Sequence, residues 1–351
     1  MKKLTVLLIL AALILSGCSW MDGQYHSVKP HDSENSQQMN NAVVVSGYNE
    51  LRDALVELVV TGRTERTFYT VGISEEQIDQ YMNTAIMHMF QNCAVGAYAV
   101  EKVDFEYGTS GGTPAIAVDV SYLHGRQEIL RIKNALNMDG VKNLLEEAVK
   151  DCAGAVVMRV SHYEDLDVEQ YIQDFVSQNP HLCMEQPVVT ATTYPNRGEE
   201  RVVEVLFTYQ SSRESLRSMQ DMVSPIFSAA KLYVQDSEDV HQKYEQLYAF
   251  LMERFDYKIE TSNTPAYSLL RYGVGDSKAF AMVYSVMCRN ADLECQVVPG
   301  TRNGESWYWN YILVDDTYYH VDLLASSVDG AFSTVRSDQM DGYVWDYSAF
   351  P

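Results

Sequence analysis

Basic residues are scarce in this 351-residue chain: 26 Lys and Arg stand against 48 Asp and Glu, a net charge of −22. That balance argues against nucleic acid as a partner, and against adsorption to anionic lipid or teichoic acid by charge alone. No block of like charge stands out, so the acidic residues read as a solvated surface. Between residues 45 and 234 the sequence has no Gly-rich phosphate loop, no Cys-x-x-Cys pair and no His/carboxylate cluster at ligand spacing. Neither a cofactor nor a metal is therefore expected. His88 lies on an apolar stretch among Met82, Met87 and Met89, where a half-buried, hydrogen-bonded histidine with methionine filler is the expectation. Cysteine is sparse as well. Beyond Cys18 there are five, Cys93, Cys152, Cys183, Cys288 and Cys295, an odd number that leaves one thiol free if the others pair. Cys288 and Cys295 are seven residues apart across a helix-to-strand turn, and both a bridge and two buried thiols stay open there.

The chain opens with Lys2 and Lys3, followed by an apolar run from Leu4 to Leu15 that is too short to span a bilayer. It ends in Leu15-Ser16-Gly17-Cys18, which resembles the lipobox of bacterial lipoproteins. The resemblance implies a signal peptide over residues 1–17, removed to leave Cys18 as a diacylated N-terminus. Two or more acyl chains (palmitate among them) hold a protein stably to a membrane where one does not. Residues 18–41 are polar and poor in apolar side chains, so they are expected to form a disordered tether, with His26 and His31 solvated within it. The expected location is extracytoplasmic, lipid-anchored to the bacterial cell membrane.

What remains is too long for one ordinary core, so two or three units are expected. Residues 42–150 and 151–235 look like two copies of one α+β pattern. The first has a strand over Thr67–Gly72 and a helix opened by Ser74 that runs to about Cys93. Strands Ala99–Tyr107 and Ala115–Tyr122 follow, then a helix near Leu130–Lys150. The second has a strand over Ala155–Val160, a helix near Val168–Ser177, strands Pro187–Thr193 and Arg201–Tyr209, and a helix near Ser215–Ala230. Tyr122 and Arg126 find counterparts 87 residues later in Tyr209 and Arg213. Alternation at Val118, Val120, Tyr122 and at Val203, Val205, Phe207 marks half-buried strands. Each copy is read as β-α-β-β-α with helices on one sheet face. The hairpin tips fall at Gly108–Thr113 and Asn196–Glu199.

Residues 236–351 carry the densest pattern. A loop ending in Gly275-Asp276-Ser277 opens into an apolar helix over Lys278–Asn290. Strands Leu293–Gly300, Trp307–Val314 and Thr317–Leu323 follow. Tyr267 lies ten residues before Ser277, Phe280-Ala281 follow it, and Asp292-Leu293 and Gly300 bound the next strand. Trp309-Asn310 and Tyr319-His320-Val321-Asp322 complete the series, and Tyr244–Tyr257 reads as a helix upstream. In order and spacing this stretch resembles the transglutaminase-like superfamily of papain-type folds. The family places a Cys nucleophile, a His base and an orienting Asp where this chain has Ser277, Trp307 and Asp322.

The resemblance thus implies the family fold with a degenerate triad. A helix N-terminus can activate a thiol, but a serine hydroxyl gains little from that field and needs an adjacent base. Trp307 offers an N–H donor and no acceptor nitrogen. Loss of a triad base costs on the order of 10⁶ in turnover. The expected role is binding or scaffolding at the envelope by an inactive domain. Alternation places Trp307, Trp309 and Tyr311 on one face, suited either to stacking on a cell-wall glycan or peptide or to core packing. The repeats are a second candidate surface, for an envelope protein. The alternative is an atypical serine hydrolase, peptidase or transglutaminase-like enzyme with Ser277 as nucleophile and His320 as base.

Overall fold

Two four-stranded sheets with the same strand order form the N-terminal half of the computed structural model, which describes residues 43–234, 239–259, 262–329 and 331–351. In the first, strand β1 (Val43–Val45) leads through helix α1 (Tyr48–Val60) to β2 (Glu65–Thr70). Helices α2 (Glu75–Asn92) and α3 (Ala94–Ala99) precede the hairpin β3 (Val100–Ser110) and β4 (Thr113–Tyr122). The sheet order is β1-β2-β4-β3, with β1 parallel to β2 and the other pairs antiparallel. Ser74 starts α2 through a capping box: its hydroxyl accepts from the Gln77 N–H, and the Gln77 side chain accepts from the Ser74 N–H at 3.0 Å. The hairpin turns at Gly111 and Gly112, both at positive φ, which a side chain there would oppose.

A short helix α4 (Arg126–Leu130) then connects to β5 (Lys133–Ala135), α5 (Met138–Lys150), β6 (Ala155–Val160) and α6 (Val168–Gln178). The hairpin β7 (Val188–Tyr194) and β8 (Arg201–Thr208) completes a second sheet of order β5-β6-β8-β7. The registers repeat. Val43 pairs with Phe68 and Lys133 with Met158; Arg66 pairs with Val118 and Val156 with Val205. Each unit is therefore β-α-β-α-β-β, and the second begins near residue 133 rather than at 151. The expected helix over Leu130–Lys150 is three elements, the end of α4, β5 and α5, of which the last two open the second unit. The Tyr122 and Arg126 pair serves the first unit locally. Tyr122 Oη donates to Arg63 O at 2.7 Å and Arg126 Nε to Thr61 O at 3.3 Å, closing the loop after α1.

Helix α7 (Arg213–Ser228) carries the chain into the C-terminal part through a short 3₁₀ turn (Ala229–Leu232). There α8 (Val240–Arg254), β9 (Asp256–Tyr257), α9 (Pro265–Tyr272) and β10 (Val274–Gly275) lead to α10 (Ser277–Asn290). The antiparallel sheet that follows has the order β13-β12-β11-β14, from β11 (Cys295–Arg302), β12 (Glu305–Val314), β13 (Thr317–Val321) and β14 (Tyr343–Trp345). Helix α11 (Leu323–Asp329) follows β13. Helix α10 is buried on every side, since Ser277 and each residue from Ala279 to Cys288 are buried. It is the axis on which this domain packs.

The second unit and the C-terminal domain share one core. Cys152, Met184, Leu216, Val223 and Phe227 join Tyr244, Leu251, Tyr284 and Ile312 in a single apolar cluster. The first unit's cluster, around Leu51, Leu55, Phe68, Ile78 and Met82, takes in Val202 of the second. A side-chain amide reinforces the shared core: Gln178 Nε2 donates to Val297 O at 2.8 Å, and its Oε1 accepts the Val297 N–H at 2.9 Å. Gln178 thus pairs with β11 as a short stretch of backbone would. Cys93, Cys152, Cys183, Cys288 and Cys295 are all free and buried, so Cys288 and Cys295 are thiols and not a bridge. Among the described residues no helix is long and apolar enough to cross a membrane. The expected signal peptide, Cys18 and the tether lie outside the described residues.

The Gln178 bond pair predicts a cost. Gln178→Ala leaves both polar groups of Val297 without that partner, and a loss of about 1–3 kcal/mol is expected. It should appear as a lower urea midpoint at unchanged slope. An unchanged midpoint would show that solvent or another group satisfies Val297 equally well.

Candidate functional site

The site is assembled from the start of α10, the first half of β12 and the end of β13. Two glycines set the approach. Gly273 ends α9 in the left-handed region at φ +82°. A Cβ on Gly275 would lie 2.8 Å from the Ala279 methyl carbon and 3.1 Å from Leu269 Cδ1, so no side chain fits there. Asp276 then caps the helix, its carboxylate accepting the Ala279 N–H at 2.9 Å. Ser277 is consequently the first helical residue, and it is buried.

Its hydroxyl is engaged by backbone. Ser277 Oγ accepts the Tyr308 N–H at 3.3 Å. Among the described residues, no imidazole or carboxylate is hydrogen-bonded to it. Trp307, one residue earlier on β12, turns its indole the other way, and Trp307 Nε1 donates to Asp322 Oδ2 at 2.8 Å. The indole thereby fills the donor role that orients a ring against this carboxylate, and it has no second nitrogen with which to take a proton. The Arg302 guanidinium lies 5.3 Å from the Trp307 ring centroid, and the Tyr257 ring is 5.8 Å away.

Asp322 is saturated. Besides Trp307, its Oδ2 accepts from Tyr343 Oη at 2.7 Å and faces Arg302 at 3.4 Å. Its Oδ1 accepts the backbone N–H of Leu324 and of Ala325, both at 3.0 Å, which makes it the start of α11. Five donors meet a group with about four lone-pair sites. Burial first, and the hydrogen bond to Asp322 second, push the Tyr343 phenol well above its usual value, so it remains a donor. Sequence reasoning missed Tyr343 and Arg302. Arg302 stands at the hairpin end of β11 and Tyr343 on β14, paired with each other across the sheet, and no motif spacing links either to Asp322.

His320 requires a correction. It was a candidate base for Ser277, two residues from Asp322, but both its nitrogens are committed elsewhere. Trp309 Nε1 donates to His320 Nδ1 at 2.9 Å, and His320 Nε2 lies 3.1 Å from Ser337 Oγ. Ser337 spends its own proton on Pro351 O at 2.9 Å, so the Ser337 oxygen accepts from Nε2. The network fixes the neutral Nε2–H tautomer. Burial lowers the imidazole's pKa to about 4, and the ring is fully buried.

The aromatic face requires a second correction. Trp309 is 1% exposed and Tyr311 5%, and both pack with Val298, Trp345 and Phe350 in a satellite core. Trp309 stands edge-on to Trp345 at 5.7 Å and to Tyr343 at 5.2 Å. These rings line no cleft. Trp307, half-buried, is the member of the trio that touches the site. His88, also expected half-buried, has an Nδ1 that is buried without a hydrogen-bond partner. Among the described residues no group of three or more His, Cys, Asp or Glu is placed to hold a metal ion.

The model of the transglutaminase-like superfamily matches residues 228–331. The C-terminal part of the chain is a transglutaminase-like domain. Its match begins at the end of α7, eight residues before the expected boundary at 236. Three solved structures are similar at low identity. A candidate protease from Parabacteroides distasonis is 8% identical with a TM-score of 0.25, over 73% of this chain and 39% of that one. A candidate cysteine protease from Cytophaga hutchinsonii is 10% identical with a TM-score of 0.26, over 45% of this chain and 70% of that one. A TGase is 12% identical with a TM-score of 0.25, over 63% of this chain and 65% of that one. Among curated proteins nothing matches.

The buried imidazole makes the stability of the transglutaminase-like domain depend on pH. In the unfolded chain His320 takes up a proton near pH 6.5, whereas in the folded protein it does so only near 4. Between those values the unfolded state binds more protons, so stability falls as pH drops from about 6.5 to about 4. His320→Gln should remove part of that slope, read as a flatter dependence of the urea midpoint on pH. An identical slope in the variant would assign the dependence to other groups, His181 among them.

Proposed function

We propose that the transglutaminase-like domain performs no triad chemistry, and that the protein works by binding or scaffolding at the bacterial cell envelope as a lipid-anchored lipoprotein. One observation carries the first part: the Trp307 Nε1–H to Asp322 hydrogen bond at 2.8 Å. It occupies the carboxylate that would orient a base, using a side chain that cannot be one. The commitment of Ser277 Oγ to a backbone N–H, and of His320 to Trp309 and Ser337, supports the same reading. Hydrolysis by Ser277 needs a base in hydrogen-bond reach of its hydroxyl, and among the described residues none is bonded to it. The anchoring rests on Leu15-Ser16-Gly17-Cys18 and the polar stretch that follows. A cell-wall glycan, a peptide or another envelope protein is the expected class of partner, with the N-terminal units as one surface for it.

Two measurements test the proposal. A fluorophosphonate probe should label the wild type no more than Ser277→Ala; stoichiometric labelling lost in that variant would make Ser277 a nucleophile and end the inactive reading. Fed to bacteria producing the full chain, a fatty-acid label should enter the wild-type protein and not Cys18→Ala. Equal incorporation into both would remove Cys18 as the anchor.

A further inference from the structure

A cavity of about 160 Å³ lies where the second unit meets the transglutaminase-like domain. Val176 and Met184 close it from the second unit, and Met282 of α10 closes it from the other side. Gln186 and Asn263 supply amides. Lys278, the residue after Ser277, is the one charged residue among those lining it. Its ammonium lies 5.4 Å from the Tyr308 ring centroid, a favourable face for a cation. Among the described residues, no carboxylate lies within ion-pair distance of it. Asp276, which also accepts the Ala279 N–H, acts on the Lys278 charge from a longer distance. Burial lowers the Lys278 pKa from its usual value, with Asp276 opposing.

In a chain this acidic, a partly buried ammonium with no carboxylate at ion-pair distance among the described residues carries a cost that a bound anion would offset. The lining narrows the chemistry of that anion. One positive charge and neutral amides match a monoanion, and would leave a phosphate or sulfate dianion half-compensated. The two methionine side chains present apolar, adaptable surface beside the charge. The volume is ample for several water molecules and admits a short chain.

We propose that this cavity binds a short aliphatic carboxylate, its head group on the Lys278 ammonium and its alkyl body against Met184 and Met282. The site adjoins Ser277 but no triad position lines it, and it holds whether or not Ser277 is reactive.

The test is thermal unfolding of the full chain with sodium butyrate, sodium sulfate at equal ionic strength, and n-butanol. Butyrate is expected to raise the midpoint by roughly 2–4 °C once it exceeds its Kd about tenfold, whereas sulfate and butanol leave it within error. Lys278→Met should abolish the butyrate shift, and should itself be at least as stable as the wild type without ligand. Lys278→Gln serves the same purpose should the methionine overfill the cavity. No butyrate shift in the wild type, or a shift of equal size in either folded variant, would overturn the proposal. So would a sulfate response as large as that to butyrate, since it would report a general anion effect.

Discussion

A carboxylate buried at the end of a strand has to be met by donors, and in this domain that demand organises the sheet around it. Asp322 closes β13 and starts α11 with the same side chain, one oxygen on two backbone N–H groups, the other on Trp307, Tyr343 and Arg302. Those partners come from β12, β14 and β11, so every strand of the sheet contributes to one oxygen pair. Burying such a group unpaired costs several kcal/mol, and removing one partner exposes part of that cost. The arrangement serves as a structural junction.

The core beneath that junction extends past the family domain. Helix α10 cannot be separated from α7 or from the end of α6, because Phe227, Leu216 and Met184 lie in the same cluster as Tyr284 and Val283. Gln178 then ties α6 to the edge of β11 through two backbone groups. The second unit is thus part of the domain's packing, which a passive tether would not be. The first unit packs on the second too: Val202 of β8 is buried in its cluster, and Tyr98 of α3 stands edge-on to Tyr194.

How much of this could be read in the residues follows from the range of each interaction. Gly275-Asp276-Ser277 announced a helix start because capping is local, and the observed helix begins one residue before the expected Lys278. The alternation along β4 and β8 was legible for the same reason. The opening of the second unit was not. Strand β5 is three residues, Lys133-Asn134-Ala135, with no alternation to count, and Asn134 pairs with Arg159 by tertiary context alone. Tyr311 and Trp309 were correctly placed on one face by period two, yet period two does not say what covers that face. The cover comes from Trp345 and Phe350, near the far end of the chain. His320 failed as a base for the same cause: its partner Ser337 lies 17 residues on.

On the proposed reading, a thiol alone would not supply triad chemistry. A cysteine at position 277 would sit at the N-terminus of α10, where the helix field favours a thiolate. It would still meet the Tyr308 N–H. A histidine at position 307 would take the place the Trp307 indole holds on Asp322 Oδ2, beside Tyr343 and Arg302. Catalysis needs the nucleophile, the base and a carboxylate with a free acceptor position together. Here Asp322 Oδ2 is met by donors from three strands, the same contacts that tie the sheet together.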